Sequence, residues 1–307
     1  MIIVFGSLNM DMVFSVPVIP RPGETVLCPE YKLYSGGKGA NQAVAAAKAG
    51  GDVKMFGCVG RDDFGVHVRA SLKDAGVDTK GILDVDAPTG CAMICVDPLG
   101  ENMITVACGA NNYAKSTQVP DALLTSKTTL ITQMEVNPEE NWSLIRRAKS
   151  KGVRVILNLA PAQIIPEDIL KDLDAIVMNE MEACLLAAHL GFDGSYARSI
   201  ARRLTDTYGL TAIVTMGSEG AYASSQQGNC NVEAMKLEAV DTTAAGDAFV
   251  GILGLSLDQG LTLPAALHRA SVASGLSCLR EGAQDGMPNL ADIEMALQEI
   301  PAPKLVA

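Results

Sequence analysis

Short apolar runs alternate with helix-period stretches along most of the chain. Positions 2–6, 53–57, 130–133, 153–158, 175–178 and 212–215 read as strands, and continuous apolar strands are the kind buried on both faces of a sheet. Between them, 64–75, 139–150, 180–190 and 196–208 read as helices. The second of these has the clearest ends. Pro138 stands ahead of it, Glu139 and Glu140 occupy its first turn, Arg146, Arg147 and Lys149 come late, and Gly152 lies beyond. Strand–helix alternation of this kind predicts an α/β chain, with a mainly parallel sheet between layers of helices. Neither a repeat nor a low-complexity segment interrupts it, so residues 1–307 read as a single domain.

Two stretches break the alternation. Residues 12–34 and 90–108 read as strands with Pro/Gly turns and no helix between them. Ligands of open α/β sheets lie beyond the carboxyl ends of the strands, and loops leaving those ends can grow into a cover. Both stretches are therefore assigned to a small β-lid. Residues 91–96, Cys-Ala-Met-Ile-Cys-Val, are apolar at consecutive positions, which suits a strand with one face on a ligand and the other on a second subunit. A homodimer joined through 91–96 and 103–107 is the expectation.

Composition narrows the class. A 307-residue chain that is 48% hydrophobic with 29 glycines is long enough to bury a large core. A net charge of −11 argues against a nucleic-acid surface. No apolar run reaches the ~20 residues of a membrane span, and the start reads as a strand without a basic leader, so neither membrane nor signal peptide is expected. The eight cysteines include no Cys-x-x-Cys pair and read as reduced core residues of a cytoplasmic protein. P-loop, dinucleotide-binding, zincin and nucleophile-elbow motifs are absent, and the three histidines lie in helix-like stretches.

The chemistry concentrates in two glycine-containing stretches. Asp241-Thr-Thr-Ala-Ala-Gly-Asp247 leads into the apolar run 249–257, a helix candidate. Small residues at a helix start let an anion approach unpaired N–H groups at the positive end of the dipole, and Asp247 beside it could accept a proton. An N-capped helix with an acidic first turn is the plain alternative. The stretch 35–43, Ser-Gly-Gly-Lys-Gly-Ala-Asn-Gln-Ala, likewise puts glycines before an Ala-rich helix at 43–49.

Together the two stretches resemble the ribokinase family of carbohydrate and nucleoside kinases, with similar motif spacing nearly end to end. The resemblance implies a ribokinase-like three-layer fold with a β-lid and phosphoryl transfer from ATP to a sugar hydroxyl. It implies sugar contacts at Asn9, Asp11, Gly37, Lys38, Asn41 and Glu135, with Ala92 and Ile104 from the lid. Asn9 and Asp11 fit an Asx turn equally, Lys38 a solvated turn lysine, and Glu135 a helix-leading acid. Asn179 and Glu182 match the family's Asn-x-x-Glu motif, near the nucleotide phosphates and a water-bridged Mg²⁺ respectively; a solvent-facing helix glutamate is the alternative. Thr215, Gly217, Ser218, Gly220 and Ser271 match nucleotide-binding positions. Asp241 and Thr243 resemble one half of a K⁺ site, completed by backbone oxygens near Ser277, Arg280, Gly282 and Gly286, although Asp241 could simply cap its turn through Thr243. Ala245, Gly246 and Asp247 supply the anion hole and Asp247 the base. Ala244 stands where many family members have glycine.

The substrate implied is D-ribose, phosphorylated to ribose 5-phosphate. Kinases of deoxyribose, a hexose or a nucleoside are the near alternatives. Aromatic residues are only 4% of the chain, and Ala92 and Ile104 are small and aliphatic, which fits a bare pentose better than a nucleobase. A catalytically idle sugar sensor is the alternative from another class, and the retained Asp247, Glu182 and Asn179 speak against it.

Overall fold

The computed structural model describes residues 1–192, 196–298 and 301–306. The first half runs β1 (Ile2–Phe5), β2 (Asn9–Ser15), β3 (Tyr31–Gly36), α1 (Lys38–Lys48), β4 (Val53–Gly60), α2 (Asp63–Asp74), β5 (Asp78–Val85), β6 (Gly90–Val96), β7 (Asn102–Ala107), β8 (Thr129–Thr132) and α3 (Pro138–Ser150). The second half follows with β9 (Arg154–Asn158), α4 (Glu167–Asp172), β10 (Ala175–Asn179), α5 (Glu180–His189), α6 (Ala197–Tyr208), β11 (Thr211–Thr215), β12 (Ala221–Ser225) and β13 (Gly228–Val232). It ends with α7 (Ala245–Asp258), α8 (Leu263–Ser277), α9 (Leu290–Leu297) and β14 (Lys304–Val306).

Ten strands form one sheet in the order β14-β13-β12-β11-β10-β9-β8-β1-β4-β5. From β11 to β5 all neighbours are parallel, while β12, β13 and β14 add antiparallel pairings at one edge. The alternation along β1 sets the layers. Ile2 and Val4 belong to one core with α1, α2, α7, α8 and α9, and Ile3 and Phe5 to the other with α3, α4, α5 and α6. The chain moves outward from β1 to β4 and β5, then returns to place β8 on the other side of β1. That reversal opens a crevice beyond the carboxyl ends of β1 and β8, where open sheets of this kind bind ligands.

The other four strands pair as β3-β2-β6-β7, with β2 and β6 parallel and the outer pairs antiparallel. They fall where the β-lid is expected, but β2 starts at Asn9 and β3 runs to Gly36. Asn9 and Asp11 therefore sit on a strand, not in an Asx turn. Alternation sends Asp11, Ala92 and Val106 to one face and Met12, Met93 and Leu33 to the other.

Helix α3 has the ends its sequence signals. Asn137 accepts from Glu139 N, Pro138 opens the first turn, and Arg147 and Lys149 lie in the last. Helix α7 is buried from Asp247 to Ser256. Its three glycines each cost about 1 kcal/mol of helix propensity, whereas burying Phe249, Val250, Ile252, Leu253 and Leu255 contributes about 1.5–3 kcal/mol each, so packing wins. Gly251 has a positional reason as well. A Cβ there would lie 2.5 Å from Gln42 O, so glycine lets α7 close on α1.

Candidate active site

Two helix starts meet beyond β1 and β8. Gly37, at φ 88°, caps α1, and a Cβ on it would lie 2.7 Å from Asn9 N and 2.9 Å from Ser7 O. Only glycine tolerates both the left-handed backbone and that approach. Helix α1 begins at Lys38, earlier than the 43–49 expected, so Lys38, Asn41 and Gln42 belong to its first turns. Helix α7 begins at Ala245 behind Ala244, whose φ of 60° makes it the sole non-glycine with positive φ among the described residues. No side chain caps α7. Ala245 N makes a long 3.3 Å bond to Thr242 O.

Asp247, in the first turn of α7, is buried between these elements. Asn41 Nδ2 donates to its Oδ2 at 3.0 Å and Gln42 Nε2 to its Oδ1 at 2.9 Å. Burial holds its carboxyl above the ordinary range, against Lys38 and the two amides, while Glu135 adds to the rise. Lys38 is half-buried; burial works against its charge, but Asp247, Glu135, Glu182 and Asp11 outweigh it and hold the ammonium above its usual value.

Asp11 is pushed up to about 7, by burial first and then by Glu135 and Asp247, with Lys38 opposing. Asn9 Oδ1 accepts from Asn111 Nδ2 at 2.7 Å, which leaves the Asn9 amide N–H groups for the cleft. Asn111 also bonds both backbone groups of Leu8. The sequence reading missed it. Its only signal is an asparagine two residues after a glycine in the turn that follows the β7 stretch. Glu135 accepts from Ser7 Oγ at 2.6 Å and from Lys38 N at 3.3 Å.

Three adjoining cavities meet around the start of α7. A cleft of about 490 Å³ is lined by Asn9, Asp11, Gly37, Lys38, Asn41, Glu135 and Asp247, and roofed by Ala92, Ile94 and Ile104. A middle cavity of about 180 Å³ shares Lys38, Ala244 and Asp247 with it and adds Asn158, Asn179, Glu182 and Gly246. A third, of about 320 Å³, shares Thr215, Ala245 and Gly246 with the middle one and adds Gly217, Ser218, Gly220 and Ser271. The start of α7 thus stands at the junction of all three.

Two side-chain pairs have local roles that need no ligand. Asn179 and Glu182 form a reciprocal capping box on α5, each bond 2.8 Å. One Glu182 oxygen is used there, and burial raises its carboxyl against that bond and Lys38. Asp241 accepts from Thr243 N at 2.8 Å, the turn cap, but its other oxygen accepts from Gly282 N at 2.9 Å and ties the α7 approach to the loop after α8. In that loop, a Cβ on Gly286 would lie 2.7 Å from Ser277 O, 3.0 Å from Gly282 O and 3.4 Å from Arg280 O. Three carbonyls converge on one point, a cradle suited to a cation.

Comparison with known proteins agrees with this geometry. A model described as pfkB family carbohydrate kinase matches residues 1–290. Ribokinase of Haemophilus influenzae is 35% identical over 288 residues, 93% of this chain and 94% of that one. The crystal structure of ribokinase from Thermotoga maritima is similar with a TM-score of 0.89 at 32% identity, over 97% of this chain and 99% of that one. The structure of Arabidopsis thaliana ribokinase complexed with ribose and ATP gives 0.87 at 26% identity, over 97% and 98%. On these matches the chain belongs to the pfkB family of carbohydrate kinases.

Proposed function

We propose that the protein is a ribokinase, transferring the γ-phosphoryl group of ATP to the 5-hydroxyl of D-ribose. The observation that carries this reading is the placement of Asp247. Its carboxylate stands where the cleft containing Asn9, Asp11 and Glu135 opens onto the cavities at the start of α7.

The reading assigns the cleft to the sugar. Asn9 donates to its hydroxyls, and Asp11 and Glu135 accept from them. Asp247 takes the proton of the attacking hydroxyl as the oxygen–phosphorus bond forms and the bond to the departing ADP oxygen breaks. The N–H groups of Ala245, Gly246 and Asp247 stabilise charge on the transferred group, and Lys38, which lines both cavities, adds its ammonium. The Ala245 N–H must leave its long bond to Thr242 to take part. Thr215, Gly217, Ser218, Gly220 and Ser271 line the nucleotide end.

Glu182 fits a Mg²⁺ held through water, since one carboxylate oxygen remains outside its capping bond. Such an ion neutralises phosphate charge. The cradle of Ser277, Arg280 and Gly282 carbonyls beside Asp241 fits K⁺, which would keep the loop before α7 in shape. The four-stranded sheet acts as lid, and its far face, bearing Met93 and Leu33, carries the homodimer contact. No helix among the described residues is long and apolar enough to cross a membrane. Eight free thiols suit a reducing cytoplasm.

Measuring ADP release with ribose, deoxyribose, hexoses and nucleosides tests the substrate. Ribose should give the highest kcat/KM. Faster turnover of a nucleoside would replace this reading by the nucleoside-kinase alternative. Sugar binding with no ADP from any of them would make the protein a sensor.

A further inference from the structure

Both amides on Asp247 come from the first turns of α1, yet only Asn41 lines the cleft; Gln42 is fully buried behind it. We infer that Gln42 is a positioning residue: it fixes the orientation of the Asp247 carboxylate and keeps one hydrogen bond on it when Asn41 engages the sugar. The inference rests on the reading of Asp247 as the base.

The Gln42 amide has one arrangement. Its Nε2 carries two hydrogens, and both are placed, at 2.9 Å to Asp247 Oδ1 and 3.0 Å to Asn158 Oδ1. Its Oε1 accepts from Gln133 Nε2 at 2.7 Å. A flipped amide would set oxygen against two acceptors and nitrogen against a donor. The partners are held in turn. Asn158 Nδ2 donates to Val177 O at 3.2 Å, and Asn141 Nδ2 donates to Gln133 O at 2.6 Å. The row runs from β8 and β9 through α1 to α7; the side-chain amides of Gln42 and Asn158 in it are bonded at both oxygen and nitrogen, while Gln133 Oε1 is buried without a partner, so the row is stiff at Gln42. Asn41 is held more loosely, its Oδ1 meeting only Gln284 Nε2 at 3.3 Å. It can turn toward a sugar; Gln42 cannot.

Four charged groups face Asp247: Lys38 at the start of α1, Glu135 after β8, Asp11 on β2 and Glu182 on α5. Burial and Glu135 favour its protonated form, and the Gln42 donor opposes them. Without that donor the carboxyl holds its proton to higher pH, so the acidic limb of the rate moves up.

The test compares full-length wild type with Gln42→Met and Gln42→Glu in kcat and ribose KM across pH. Met keeps the volume and loses both donors. Glu keeps the shape and can donate only when protonated. In both, kcat at neutral pH should fall about ten- to hundredfold, the size of one hydrogen bond to a charged group, while KM for ribose stays within about threefold. The acidic limb of kcat should move up by about one pH unit, and further in Gln42→Glu. If circular dichroism shows Gln42→Met unfolded, Gln42→Glu decides alone. A limb within about 0.2 unit of wild type, or kcat and KM changing together, would overturn the positioning role. An active Asp247→Asn enzyme would instead remove the base on which the inference rests.

Discussion

Replacing Asp11 by asparagine should stabilise the sugar-free protein while weakening its hold on ribose. Asp11 is 8% exposed, and its carboxyl is raised from 3.8 to about 7, by burial first and then by Glu135 and Asp247. The unfolded chain releases this proton near the ordinary value; the folded chain keeps it until about pH 7. Between those limits the folded state binds more protons, so its stability falls as pH rises through the window. Each unit is worth 1.36 kcal/mol, so the full interval costs about 4 kcal/mol at pH 8 and about 2 kcal/mol at pH 5.5. An asparagine never ionises and escapes both. Whatever its amide does for packing is the same at the two pH values, so the advantage of Asp11→Asn should grow by about 2 kcal/mol between them. In a domain of this size that is a widening of the Tm difference by roughly 4 °C. Sugar-free thermal melts of both proteins at pH 5.5 and pH 8, at one ionic strength, measure it. An equal difference at the two pH values, or a larger one at pH 5.5, would refute the reasoning. Ribose affinity of the variant should drop at least about tenfold, the usual size for losing a hydrogen bond to a charged acceptor.

Two further outcomes follow from the loop after α8 and from the second sheet. Gly286→Ala puts a methyl group 2.7 Å from Ser277 O, inside the carbonyl cradle, and should abolish any excess of the rate in K⁺ over that in Na⁺ or a large organic cation. Equal wild-type rates in all three would leave Asp241 as a turn cap alone. Met93→Asp places charge at a 39% exposed position of β6, on the face that points away from the cleft, and should split the proposed dimer in light scattering. Ile94→Asp, on the cleft side, should instead raise ribose KM, and a wild type that scatters as a monomer would end the proposal.

The residues that were legible are those where burial and local chemistry speak together. The apolar runs of β1, β8, β9, β10 and β11 are buried on both faces and have no other reading as clear. α3 announces both its ends. The sequence pattern starts α1 late because Lys38-Gly-Ala-Asn-Gln42 lacks apolar periodicity; its first turns are helical because Gly37 turns the chain and Gly39 N meets Ser7 Oγ at 3.3 Å. Strands β12 and β13 carry polar positions such as Ser224, Asn229 and Asn231, and β5 and β14 are the two edges of the sheet, so none of the four shows a continuous apolar run. Asn179 and Glu182 show why a motif can be read two ways, since the same spacing makes a capping box and lines the middle cavity. Asn111 and Gln42 act through other side chains, and no local pattern marks that. Only the packing of α7 on α1 through Gly251 reveals the second.

The most direct measurement of the central claim is the effect of Asp247→Asn on turnover and on binding in the same preparation. The asparagine keeps the size of the side chain and loses the proton acceptor. Single-turnover kinetics should show phosphoryl transfer to ribose slowed by roughly 10²–10⁴, while calorimetry gives ribose and ATP affinities within a few-fold of wild type. Transfer at a near-normal rate would show that Asp247 is not the base and that the junction of the three cavities has been misread.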